Sequence, residues 1–251
     1  MLATAESIVE QTTIADRVCA EIQTAIIKGE FPQGSKLNEP VLATRYGISR
    51  GPLREALRRL EGLGLVCHVP HAGARVVTLT REELLEIYDV REALEGMAAR
   101  LAAEMMSQAE ITELYALLDV HSEQIKAVAG RTYFQQEGNW DFHYRIVKAS
   151  RNPQLVQILQ GDLYHRVRMY RYQSSQQSER PDKALHEHRR IVDAIAERDR
   201  DLAELLMRRH IRSARRAIGE QLSAEPLSAA IAGIQEISPR TTSQTTSEVI
   251  A

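Results

Sequence analysis

A mainly α architecture follows from three features of the 251-residue chain. Residues 13–79 read in order as helix, helix, tight turn, helix and hairpin. From Thr80 to about Leu222 the apolar residues recur at helical spacing, with no alternating strand pattern. Asn152-Pro153 and Arg180-Pro181 punctuate that series. The first feature is the order of a winged helix-turn-helix. The expected structure is therefore an N-terminal winged helix-turn-helix followed by an all-α helical bundle.

A first helix is expected over 13–28, with Ile14, Val18, Ile22, Ala25 and Ile26 facing inward and Gly29 ending it. Phe31 to Ser35 is turn chemistry, and Asn38 caps a second helix over 39–46 that Gly47 terminates. Gly47-Ile48-Ser49 is the tight turn. Ser49 is placed to cap the third helix, and Pro52 falls in its first turn, where a missing N–H breaks no helical bond. Leu53, Leu57 and Leu60 mark its buried face. Strands are expected over 65–69 and 74–79, joined by the tip Pro70-His71-Ala72-Gly73. Thr80 followed by Glu83 is a capping box that opens the helical half. Helices are expected over 81–105, 108–128, 131–149, 153–172, 181–197 and 199–222, with a Ser/Gln loop near 173–178.

The domain division that results is 11–78 for the winged domain and 79–222 for the helical one. Residues 1–10 are expected to be a mobile arm, and the Ser/Thr-rich 223–251 a disordered tail. Net charge is −2, so nothing global announces a polyanionic partner. The charge is local: Arg45, Arg50, Arg54, Arg58 and Arg59 lie within fifteen residues against one acid, Glu55. Two cysteines, Cys19 and Cys67, in apolar segments fit reduced thiols rather than a disulfide framework. With no signal peptide pattern and no apolar run of membrane length, the expectation is a cytoplasmic protein without a membrane partner.

A helix-turn-helix places its second helix in the DNA major groove and reads bases chiefly from that helix's N-terminal end. Arg50 and Arg54 occupy that end, and a guanidinium donating to guanine O6 and N7 discriminates by roughly 1–3 kcal/mol. Ser49 and the first amides suit a phosphate. Arg45 is expected on phosphate, and His71 and Gly73 at the wing tip near the minor groove. A solvated arginine face is the bland reading of such a charge run. The flanking helix, turn and hairpin favour double-stranded DNA.

The segment from Gly34 to Val77 resembles the N-terminal domain of the GntR family of bacterial transcription regulators. Gly34-Ser35-Lys36-Leu37-Asn38-Glu39, Leu42-Ala43, the run Ser49 to Leu60, Gly64-Leu65-Val66 and His71-Ala72-Gly73-Ala74 carry the resemblance. It implies that Ser49, Arg50, Gly51, Arg54 and Gly73 approach operator DNA. Thr is usual at position 51, so Gly51 contributes backbone only, and Pro40 stands where some relatives carry a contacting arginine.

In the helical half, Asn139 and His143 are four apart, which on a helix gives them one face. His188 sits among Leu185, Ile191, Val192 and Ile195; His210 follows Ala203 and Leu206; Arg91 is flanked by Ile87, Tyr88 and Leu94. Each imidazole alone reads best as a hydrogen-bonded core side chain. Three together suggest convergent metal ligands in a bundle core. This half resembles the FCD ligand-binding domain of the FadR subfamily, through Arg91 to Glu95, Asn139 to His143, Asn152 to Leu155, Glu187 to Ile195 and His210. The resemblance implies a divalent ion, Zn²⁺ first and Ni²⁺ or Mn²⁺ next, held by Asn139, His143, His188 and His210. Asn139 stands where Asp is common, and a neutral carbonyl weakens the ion's hold. Such a centre, with Arg91 and Asn139 at the effector, suits a small organic acid.

The expected function is a ligand-responsive, homodimeric transcription regulator, more a repressor than an activator, on pseudo-palindromic operators. The alternative is a metal-dependent hydrolase or isomerase using the three histidines, with Glu95 or Glu187 as base. It leaves Ser49 to Leu60 unexplained.

Overall fold

The structure, a computed structural model, describes residues 13–127, 141–161, 163–174 and 180–224. The expected N-terminal arm, the tail beyond 224 and most of the expected 131–149 helix lie outside them. The winged part comprises α1 (Ile14–Ile27), α2 (Glu39–Tyr46), α3 (Arg50–Gly62), β1 (Val66–Val69) and β2 (Gly73–Val76). Its strands pair antiparallel, Val66 opposite Val76 and Val69 opposite Gly73. They are shorter than expected: beyond Val76 the chain leaves the ladder to reach the next helix.

Local chemistry explains the boundaries. Thr13 and Asp16 form a reciprocal capping box on α1, and Asn38 accepts from the Val41 amide at 3.4 Å to start α2. Gly47 ends α2 in the left-handed conformation, φ 63°, which a glycine adopts without Cβ strain. Ser49 stands at the N-cap of α3 in extended conformation, but its hydroxyl makes no capping bond, contrary to the role expected of it. Val18, Ile22, Ile26, Leu53, Leu57 and Leu60 interlock α1 with α3 beneath the hairpin.

The helical part comprises α4 (Arg81–Met105), α5 (Gln108–Ala127), α6 (Phe142–Ala149), α7 (Pro153–Gln160), α8 (Tyr164–Ser174), α9 (Arg180–Ala196) and α10 (Arg200–Ala224). The Thr80–Glu83 capping box forms as expected. Helix α4 packs along α10, and α5, α6 and α9 enclose the core with them. Two expectations fail. The 153–172 helix is broken at Gly161, where any Cβ would stand 2.4 Å from the Gln157 carbonyl oxygen, so the chain turns on a backbone contact that only glycine permits. The expected helix over 131–149 does not run through Asp141, which is extended (φ −102°, ψ 121°) and caps α6 with its own carboxylate. Asn139, expected to share a helix face with His143, lies outside the described residues.

Candidate DNA-reading face and histidine centre

The third helix shows to solvent what the sequence assigned to DNA. Ser49, Arg50, Gly51 and Arg54 are exposed, whereas Leu53, Ala56, Leu57 and Leu60 are buried beneath them. Arg50 has no ion-pair partner among the described residues. Arg54 is less free: its Nε donates to Glu39 of α2 at 2.8 Å. Arg45 donates to Glu30 at 3.0 Å and lies over the rings of Phe31 and Tyr46. These are solvent-facing pairs, worth up to about 1 kcal/mol and exchangeable for phosphate. No heavy atom lies within 4 Å of where a Cβ at Gly51 would stand. At the wing, His71 is exposed with φ 62°, and Gly73 has φ 83°, with Lys36 Cε 3.9 Å from where a Cβ would stand.

In the helical half His143 on α6, His188 on α9 and His210 on α10 bring one nitrogen each within 4.8 Å of one another, all three rings buried. His188 Nε2 and His210 Nε2 are 3.3 Å apart. The outward-facing nitrogens are tied down. His143 Nδ1–H donates to Glu95 at 2.6 Å, and His210 Nδ1–H donates to Glu187 at 2.7 Å. A neutral imidazole with its proton on Nδ1 offers a lone pair at Nε2. Those of His143 and His210 therefore point inward. His143 Nε2 is buried without any hydrogen-bond partner among the described residues. A divalent ion satisfies it, and tetrahedral nitrogen ligands of zinc stand about 3.4 Å apart, close to the His188–His210 spacing. The donor set fits a borderline-soft divalent metal.

Electrostatics keep the site ready. Burial holds all three imidazoles below their ordinary range, His210 down to about 4 and His188 well down too, where neighbouring imidazoles add to the effect. Burial opposes ionisation of Glu95, but Arg91 and His143 outweigh it and keep the carboxylate charged; Glu187, facing His210 and Arg180, is held down to about 2. Glu95 and Glu187, the bases a hydrolase would require, are thus engaged as orienting partners of the histidines.

Beside His143 lies a cavity of about 20 Å³ whose lining mixes Arg91, Glu95, Tyr164 and Arg171 with apolar side chains such as Leu159 and Val167. Arg91 is buried, donates from Nε to Glu95 at 2.7 Å and stacks over Tyr88, while its Nη1 is without a partner among the described residues. Arg91, expected from the sequence at an effector, lies at this cavity. Sequence reasoning missed Arg171, whose guanidinium pairs with Asp141, and His121, a further buried imidazole beside His188. The spacing Leu114, Leu118, His121, Ile125 carried the same signal as the other histidines.

Comparison with known proteins agrees with this geometry. Residues 14–76 match the bacterial regulatory proteins of the gntR family, and residues 86–213 match the FCD domain. The chain is similar to the uncharacterized HTH-type transcriptional regulator YdhC of Bacillus subtilis, with 32% identity over 73% of this chain and 81% of that one. It is also similar to the Glc operon transcriptional activator of Escherichia coli K12, 30% identical over 82% of this chain and 89% of that one. The gluconate operon transcriptional repressor of Bacillus licheniformis is 29% identical over 74% and 77%. Among solved structures, E. coli McbR/YncC superposes with a TM-score of 0.66 at 20% identity, covering 83% of this chain and 98% of that one, and shares the fold. No helix among the described residues is long and apolar enough to cross a membrane. The chain belongs to the GntR family, in its FCD-bearing, FadR-type branch, and is a ligand-responsive DNA-binding transcriptional regulator rather than an enzyme.

Proposed function

We propose that the chain senses a small organic acid through a divalent ion, zinc first among candidates, held by His143, His188 and His210, with Asn139 a further ligand. The observation that carries this reading is the inward pair of lone pairs on His143 and His210, each oriented by a carboxylate on Nδ1, with the orphaned His143 Nε2 at its centre. Bound there, the ion supplies Lewis acidity and open coordination positions to a carboxylate. Arg91, which lines the adjoining cavity and whose Nη1 has no hydrogen-bond partner among the described residues, is the anion's second anchor.

On the DNA side, Arg50 and Arg54 read bases, Ser49, Gly51 and Arg45 hold phosphate, and His71 and Gly73 meet the minor groove. The free Ser49 hydroxyl supports its assignment. Residues 11–78 act as the reader and 79–222 as the sensor, in a homodimer on a pseudo-palindromic operator that it represses. The gluconate operon repressor among its relatives supports that polarity.

Elemental analysis of the purified full chain, with thermal melts against a panel of organic acids with and without chelator, tests the sensing reading. Stoichiometric zinc and stabilisation by one acid that chelation abolishes are expected. A metal-free protein that cannot be loaded, or stabilisation indifferent to chelator, overturns it.

A further inference from the structure

We propose that Arg171 is the residue through which the histidine centre addresses the winged domain, with α8 as the rigid link. For its ligand the inference rests on the sensing reading above; the link itself rests on geometry.

At 100° per residue, Tyr164, Val167 and Arg171 fall on one face of α8, and all three line the cavity beside His143. Arg171 pairs with Asp141, whose other oxygen accepts the amides of His143 at 2.9 Å and Tyr144 at 3.3 Å. One carboxylate thus joins α8 to the histidine on α6. The rest of the circumference of α8 carries His165, Arg166 and Tyr170, and all three lie against the winged half. Gln23 of α1 donates to His165 Nδ1 at 3.2 Å in a buried contact. Arg166 Nε lies 3.0 Å from where a Cβ on Gly64, just after α3, would stand. The Tyr170 hydroxyl donates to Gln33 at 2.7 Å and accepts the Leu79 amide, in the segment between wing and α4, at 2.9 Å.

A cavity of about 20 Å³ has room for little more than one water, so an organic acid enters only if its lining moves. An acid that recruits the Arg171 guanidinium takes it from Asp141. A packed helix shifts as a unit, so His165 and Tyr170 move with it. In this way one local exchange of partners reaches α1, the end of α3 and the linker together.

Hydrogen exchange on the full chain tests this without any ligand. Asp141→Asn and Arg171→Met are expected to raise exchange at the Leu79 amide and in α1 around Gln23 by about fivefold or more, whereas Asp193→Asn, which weakens the contact of α9 with Tyr115 away from the histidine centre, leaves both as they are. Unchanged exchange there in both variants overturns the proposal. So does an equal rise with Asp193→Asn, which marks general loosening instead. Coupling is reciprocal, so Gln23→Leu in the winged half is expected to change zinc affinity several-fold in chelator competition. If no protein binds zinc, the sensing reading fails while the exchange comparison still decides the link. Should the sensor variants not fold, Tyr170→Phe reads the link from its other end: faster exchange in α6 supports it, and unchanged exchange there overturns it.

Discussion

Glu187 on α9 accepts the Nδ1 proton of His210 on α10 at 2.7 Å, and Glu95 holds His143 from α4 in the same way at 2.6 Å. Both carboxylates select the tautomer that leaves Nε2 free and fix the ring plane. Partners of this kind raise ligand basicity and typically matter about 10- to 100-fold in metal affinity.

Glu187→Gln should therefore lower zinc affinity by about 10- to 100-fold while the protein stays folded, since the amide oxygen still accepts from His210 but its charge is gone. Competition against a chelator of known affinity measures it. An unchanged dissociation constant would show that the carboxylate serves Arg180 alone, with which it also pairs at 3.2 Å.

The metal-free protein should lose stability as pH falls below neutrality. Burial holds the His210 value down to about 4, against 6.5 for an ordinary imidazole, and pushes His188 lower too. Between those limits the unfolded chain binds protons that the folded chain refuses, so stability falls with pH in that window. For His210 alone the loss is roughly 3 kcal/mol, complete near pH 4. Below about 4.5 the depressed Glu187 adds a second loss in the same direction. Melts in chelator from pH 7.5 to 5 should show a declining midpoint, with a shallower decline in His210→Leu. Equal slopes in the two proteins would contradict the buried neutral imidazole.

Gly161 makes a sharper structural test. Its missing Cβ would meet a main-chain oxygen at 2.4 Å, and no side chain can yield to relieve the contact. Gly161→Ala should cost about 1–3 kcal/mol, as overpacking does, and separate α7 from α8. Chemical denaturation decides it; a cost below about 0.5 kcal/mol, the range of ordinary surface changes, would mean the turn relaxes freely.

Much of this molecule was readable from the chain. Asn38, Gly47, Thr80 and Glu83 announced their caps because capping is local chemistry, and the leucines of α3 announced its buried face because burial repeats with the helix. His143, His188 and His210 were readable as apolar-face imidazoles, and the structure brings them together. What escaped was whatever depends on partners distant in sequence. Glu95 meets His143 across 48 residues, Arg171 meets Asp141 across 30, and Gln23 meets His165 across 142. No periodicity encodes such pairs. The break at Gly161 escaped because a lone glycine in a helical pattern is tolerated until a backbone contact forbids a side chain.

The reading face offers the last prediction. Arg50 stands unpaired among the described residues, whereas Arg54 is held by Glu39, whose carboxylate also lies at the edge of the surface that would face phosphate. Arg50→Ala should lose operator selectivity by roughly 1–3 kcal/mol, since nothing internal competes for that guanidinium. Arg54→Ala should lose somewhat less, because the wild-type residue must first leave its exposed partner, a step of up to about 1 kcal/mol. Glu39→Gln then acts in the opposite sense: it releases Arg54 and removes a negative charge, tightening operator binding by up to about fivefold and steepening its salt dependence. Titration of a selected operator against salt concentration measures all three. Weaker binding by Glu39→Gln would mean that the ion pair positions Arg54 for the groove instead of restraining it.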